Sequence, residues 1–203
     1  MFELDFSLLP SLETTSIFKG MDGKYKEALN SLNIPETTDR LKASALFFSE
    51  CSQTKDKWKN RSYLRAGLSE FRSVNQALRW DNGGSTKNIP TLNKSKNPLI
   101  HLMWRLRRIH VYVKNPDFDK HETTLVLPDD DEFEYTYEAL ILKDLEKHFR
   151  KEKLVDYRDE DISKICNWFE SVQYRFGAPE VFIQGVHSYS EELIDLYSEK
   201  SAT

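Results

Sequence analysis

"TTDRLKASALFFSECSQTKDKWKNRSYLRAGLSEFRSVNQALRW", residues 37–80, is the stretch whose reading decides the fold. Leu41, Ala45, Phe48 and Cys51 or Ser52 recur at the helical period. Tyr63 and Leu64, then Leu68, Phe71, Val74 or Asn75, and Leu78 keep the same period further on. Apolar residues spaced this way form one stripe of a 3.6-residue helix, which must be buried against another element. The polar run "SQTKDKWKN" interrupts the stripe and divides the segment into two helices.

Working outward toward the C-terminus, "DNGGSTKNIPTLNKSKNP" (81–98) is the longest loop candidate, rich in Gly, Pro and Asn. A helix over 98–112 follows, with Leu99, Met103, Leu106, Ile109 and Val113 on one face. "ETTLVLP" and "EFEYTYEAL" alternate, are β-branched or aromatic, and flank an acidic turn, which predicts a hairpin around 122–141. "LKDLEKHFRKEK" is a short helix. "YRDEDISKICNWFESVQYRFG" is a helix expected to be capped by Asp159 or Asp161, with Gly177 just past its end and Pro179 opening the next. Toward the N-terminus, "MDGKYKEALNSLNI" (21–34) is a short helix with Asp22 as cap and Pro35 ending it. The expected fold is mainly α: a helical bundle with a small β-hairpin inserted around 122–141. The expected organisation is an arm and short helix over 1–36 and the bundle over 37–203.

Composition bounds the function classes. A chain of 203 residues that is 39% hydrophobic and 12% aromatic can bury a core. A net charge of −4 does not advertise nucleic-acid binding in bulk, so binding of that kind needs a local basic patch. Cys51 and Cys166 are far apart and read as reduced packing thiols of a cytoplasmic protein. The N-terminus carries acids where an export signal is basic, and no long apolar run is present to span a membrane. His101, His121, His148 and His187 lack metal-ligand spacing, "DNGGST" is not a phosphate-binding loop, and "PDDDEFE" lacks a calcium-loop pattern. Neither metal nor cofactor is expected. Trp58, Trp80, Trp104 and Trp168 read as core or interface anchors, and "KDKWKNR" (55–61) as a solvated helix end within reach of phosphate.

"YLRAGLSEFRSVNQAL" (63–78) and "NPLIHLMWRLRRIHVYV" (97–113) together resemble the HEPN superfamily of small helical bundles, whose signature is an Arg followed four to six residues later by a His. The later segment "YRDEDISKICNWFESVQYRFGAPEVFIQGVHSYSEEL" is similar to the closing helical pair of bacterial members, so the resemblance covers residues 60–195. Two registers fit. Arg105-Leu-Arg-Arg-Ile-His110 satisfies Arg-x4-His literally. The other register puts Arg107 at the Arg position, Arg108 at the polar position and Tyr112 where the His stands.

The resemblance implies a metal-independent endoribonuclease of a toxin or phage-defence system, acting as a homodimer, with an antitoxin protein as partner. Arg105, Arg107, His110 and Tyr112 would then be the catalytic candidates, with Arg108, Arg65, Arg72 and Lys114 as RNA-binding residues. Attack of a ribose 2′-OH on the adjacent phosphate needs a group that titrates near neutrality, which His supplies. It also needs a cation for the developing charge, which the Arg fork supplies. Arg107 and His110 lie about 60° apart around a helix, Arg105 and His110 about 140°. Leu106 stands where active members carry a polar residue. The second reading is therefore a non-catalytic module that binds a protein, a nucleotide or RNA through the same shape.

Overall fold

The break between the two long helices is made by Asp56, whose carboxylate accepts from Trp58 N (2.8 Å) and Lys59 N (3.1 Å). Such an N-cap satisfies backbone donors that a helix start leaves without partners. Asn60 sews the turn from inside, donating from Nδ2 to the carbonyls of Cys51 (2.6 Å) and Thr54 (3.0 Å). The computed structural model describes residues 3–12, 21–85, 91–112, 118–127, 133–151 and 157–201, without the side chains of 107–112, 118, 125–127, 133–136, 151, 200 and 201.

The elements are α1 (Gly23–Ser31), α2 (Pro35–Gln53), α3 (Lys57–Asp81), α4 (Pro98–Tyr112), β1 (Phe118–Leu127), β2 (Phe133–Leu142), α5 (Leu145–Lys151), α6 (Asp159–Phe176) and α7 (Ala178–Ser201). The expected class holds: a mainly helical chain with one antiparallel hairpin, in which Phe118 pairs with Leu142 and Leu127 with Phe133. α2 and α3 form a tight helical pair, α7 lies against α2, α4 and α6, and the hairpin covers α6. Phe48, Phe71, Phe169, Phe182 and Tyr189 are fully buried where these helices meet. Phe169 and Phe182 stack at 5.2 Å between ring centres, and Phe71 meets Tyr189 edge-on at 5.9 Å.

Three local expectations change. Pro35 does not merely end α1; it is the first residue of α2, where its fixed φ and missing N–H cost nothing. Neither Asp159 nor Asp161 caps α6. The cap position is Arg158, and Asp161 instead binds the Arg158 guanidinium at 2.9 and 3.1 Å. Trp104 and Trp168 pack against the core, but Trp58 and Trp80 are 73% and 56% exposed and anchor no core.

The N-terminal segment docks on the bundle: Leu4 is buried, Asp5 N donates to the Lys96 carbonyl (2.9 Å), and Asn97 Nδ2 donates to the Leu8 carbonyl (2.9 Å). The hairpin is tied down by Gln173, whose amide accepts from Leu142 N and donates to the Leu142 carbonyl (2.8 and 2.9 Å). It thereby completes a strand edge that would otherwise be buried without partners. Among the described residues no helix is long and apolar enough to cross a membrane.

Candidate functional site

α4 begins with Asn97-Pro98, and the Asn97 side chain caps it by accepting from Leu99 N (2.9 Å). One turn in, His101 is buried and held at both ring nitrogens. Nε2 lies 2.6 Å from the Ser95 carbonyl, which can only accept, so Nε2 carries the proton. Nδ1 is then an acceptor, and the Tyr157 hydroxyl donates to it at 2.6 Å. Tyr157 Oη in turn accepts from Arg105 Nε at 3.2 Å. The Arg105 guanidinium also stacks over Trp104 (4.4 Å) and Tyr157 (5.2 Å). Burial lowers the His101 pKa, and the Arg105 charge pushes the same way. This imidazole is therefore neutral near pH 7.

The chain continues on the other side. The Ser95 hydroxyl accepts from Asn97 N (3.0 Å) and donates to Glu192 Oε1 (2.7 Å). Burial raises the Glu192 pKa, and the Ser95 bond partly offsets it. Ser95, His101 and Glu192 are the residue types of a hydrolase triad, but the bonds are wrong for one. The imidazole meets the Ser95 carbonyl, and the hydroxyl is committed to the carboxylate, so no base activates the nucleophile. The space left beside His101, Arg105 and Tyr157 is about 20 Å³, against roughly 300 Å³ or more for a small-molecule pocket. This network locks α4 to α7 and to the start of α6.

Of the residues singled out in the sequence, Arg105 is thus a half-buried residue, packed on two rings and hydrogen-bonded into this network. Arg107, Arg108, His110 and Tyr112 belong to α4 by backbone, and their side chains lie outside the described residues, as does all of Lys114. Arg65 and Arg72 are exposed on α3, beside the stripe of buried Leu64, Leu68, Phe71 and Val74. The structure therefore does not bring Arg65 and Arg72 to the Arg105 network. His101, Tyr157, Ser95 and Glu192 were not singled out as a set. Tyr157 is 56 residues from His101 and Glu192 is 97 from Ser95, so no local spacing announces them.

Charge is distributed unevenly. α3 and α4 pack on each other and together hold nine Lys and Arg against two acids, in a chain of net charge −4. Both acids are engaged elsewhere. Glu70 accepts from Arg40 of α2 at 2.6 Å. Asp81 reaches back to the start of α2 and accepts from Glu36 N (3.2 Å) and Thr37 N (2.8 Å), standing in for the missing side-chain cap of that helix. Among the described residues no cluster of three or more His, Cys, Asp and Glu is placed to hold a metal ion.

Compared with protein-family models, curated proteins and solved structures, the chain matches none.

Proposed function

We propose that the protein targets RNA, and does so by binding. The observation that carries this reading is the segregation of charge: α3 carries six Lys and Arg against two acids that are engaged with α2, within an acidic chain. A polyanion is the partner such a surface attracts, and phosphate contacts supply most of the affinity of sequence-independent nucleic-acid binding. The resemblance of 63–78 and 97–113 to HEPN proteins supports RNA as that polyanion. Arg105 is committed to Trp104 and Tyr157, so the literal Arg-x4-His pair would assemble only by breaking these contacts. That favours binding over turnover.

Metal-independent cleavage is the second reading, retained on one observation. α4 runs unbroken to Tyr112, so Arg107 and His110 are three residues apart on one helix, a spacing that shares a face. In that reading the protein is an HEPN-like endoribonuclease of a toxin or phage-defence system. It works as a homodimer that completes the site across a two-fold axis, and an antitoxin protein restrains it.

The test is incubation of the purified chain with mixed RNA in EDTA, with binding read by gel shift and cleavage by denaturing gel. Retarded but intact RNA is the expected result. Cleavage abolished in His110→Ala or Tyr112→Ala, with far-UV CD unchanged, would replace it with the second reading. RNA neither shifted nor cut at low salt would defeat both.

A further inference from the structure

We propose that strand β1 is a dimer edge: it pairs antiparallel with β1 of a second copy of the chain and joins the two hairpins into one four-stranded sheet, an inference independent of the RNA reading. The fold treats the two strands of the hairpin differently. Ala139, Leu140, Ile141 and Leu142 of β2 are buried, and Gly177, at the corner between α6 and α7, lies against the backbone of Ala139 and Leu140. On β1, Asp119, His121 and Glu122 are exposed, and Lys120 and Thr123 are half-buried. Among the described residues β1 pairs with β2 alone, and no backbone group from Asp119 to Thr123 bonds to backbone outside the hairpin. Lys120 N donates to the carboxylate of its neighbour Asp119 (3.0 Å), a local bond that a strand carbonyl can replace. The pairing with β2 runs for ten residues without a bulge, and β1 holds neither Gly nor Pro. Natural sheet edges are blunted by bulges, prolines, short strands or charges, and this one has charges alone.

Those charges fit a second copy. His121 stacks edge-on against Tyr174 of α6 at 5.2 Å, so its neighbours Lys120 and Glu122 lie on the other face of the strand. There Glu122 stands directly opposite Glu138 of β2, a like-charge pair that is unfavourable. Glu138 is answered by Lys120 at 2.7 Å and, at longer range, by Lys55. Glu122 has no ion pair or hydrogen bond among the described residues. A two-fold axis through His121, perpendicular to the sheet, sets Lys120 directly opposite the partner's Glu122, and Glu122 opposite the partner's Lys120. The Lys120 ammonium, with three donors, then lies between Glu138 and the partner's Glu122. Asp119, already paired with Lys143, meets the partner's Thr123. Moving the axis by one residue in either direction would set Glu122 against Glu122 or Lys120 against Lys120, so charge selects this register. A strand complementary to itself in one register specifies its own copy as partner. The helices allow it. α6 lies more under β2 than under β1, and β2 and its mate would be three strand spacings apart, about 14 Å. Packed helices need about 8–10 Å, so the two α6 helices do not collide.

The experiment is sedimentation equilibrium of the full chain over a range of concentrations. Wild type should form a concentration-dependent dimer. Glu122→Lys sets like charges opposite each other twice across the axis and should weaken the dimer roughly tenfold or more. Within one copy the same change turns the repulsion from Glu138 into attraction, so the hairpin itself is not the element lost. The double variant Lys120→Glu, Glu122→Lys restores opposite charges at both places and should restore the dimer. A second readout fixes the register. His121→Cys puts two thiols at the axis with their Cα atoms about 4.5–5.5 Å apart, within the reach of a disulfide. Diamide should link His121→Cys chains in pairs. It should not link Thr123→Cys chains, whose Cα atoms would be about 14 Å apart. Cys51 and Cys166 are buried. Wild type that stays monomeric at every concentration would overturn the inference. A dimer of wild-type strength in Glu122→Lys, no recovery in the double variant, or linkage through Thr123→Cys in place of His121→Cys would overturn it as well.

Discussion

The Tyr157 hydroxyl donates to His101 Nδ1 at 2.6 Å across 56 residues of sequence, and that bond decides what Arg105 is for. With its lone pair presented outward, Tyr157 Oη accepts from Arg105 Nε and holds the guanidinium over two aromatic rings. A residue that reads as a catalytic arginine is thereby an anchor between α4 and the start of α6.

Tyr157→Phe removes that hydroxyl and leaves the buried His101 Nδ1 without its donor. An unsatisfied buried acceptor costs about 1–3 kcal/mol. Urea unfolding should show a loss of this size, while affinity for single-stranded RNA stays at the wild-type value. A Tyr157→Phe chain of full stability that had lost RNA binding would instead make the network part of the binding site.

His187 predicts an acid-sensitive stability. Its ring is buried, stacks on Tyr25 at 4.6 Å and accepts from Asp22 N at 3.2 Å, and burial lowers its pKa to about 4. The unfolded chain takes up a proton below the ordinary value of about 6.5, which the folded chain refuses until about 4. Stability is therefore fully present above about 6.5 and falls as pH drops through this window, by up to about 3 kcal/mol. His101, also lowered by burial, adds to the fall, and Glu192, raised by burial, opposes it. Unfolding free energies at several pH values between 7 and 4 should show a shallower dependence in His187→Gln than in wild type.

Asp81→Ala should destabilise the fold by about 1 kcal/mol, the usual worth of an N-cap. The lost cap belongs to α2, although the substitution is at the end of α3. The distinguishing readout is amide exchange, which should accelerate at Glu36 and Thr37. Unchanged exchange there would contradict the capping role.

Gly67→Ala tests the tightness of the α2–α3 seam. Ala is better than Gly in a helix by about 1 kcal/mol. A Cβ at residue 67 would nevertheless stand 2.6 Å from Phe48 Cε1, too close for the buried ring to accept unmoved. Overpacking of this kind costs about 1–3 kcal/mol, so the thermal midpoint should fall. A rise would mean that the seam gives way.

The helices were legible because their stripes are long. The breaks at residues 54–56, the start of α4 at Pro98 and the positive φ of Gly177 follow from cap and turn chemistry visible in adjacent residues. The interior of the site was not. Ser95, His101, Tyr157 and Glu192 belong to two loops and two helices, and their association depends on how α4, α6 and α7 pack, which no periodicity encodes. The opposite holds for α3. Arg65 and Arg72 stand out in the sequence, but that they lie exposed beside the buried stripe of one helix unbroken from Lys57 to Asp81 is visible only in the structure.

Equilibrium binding of the purified full chain to labelled single-stranded RNA in EDTA, followed from low to physiological salt, bears most directly on the claim that the protein targets RNA. The expected result is saturable binding that weakens steeply as salt rises, with the RNA intact. Absence of binding at low salt, or an affinity indifferent to salt, would contradict it.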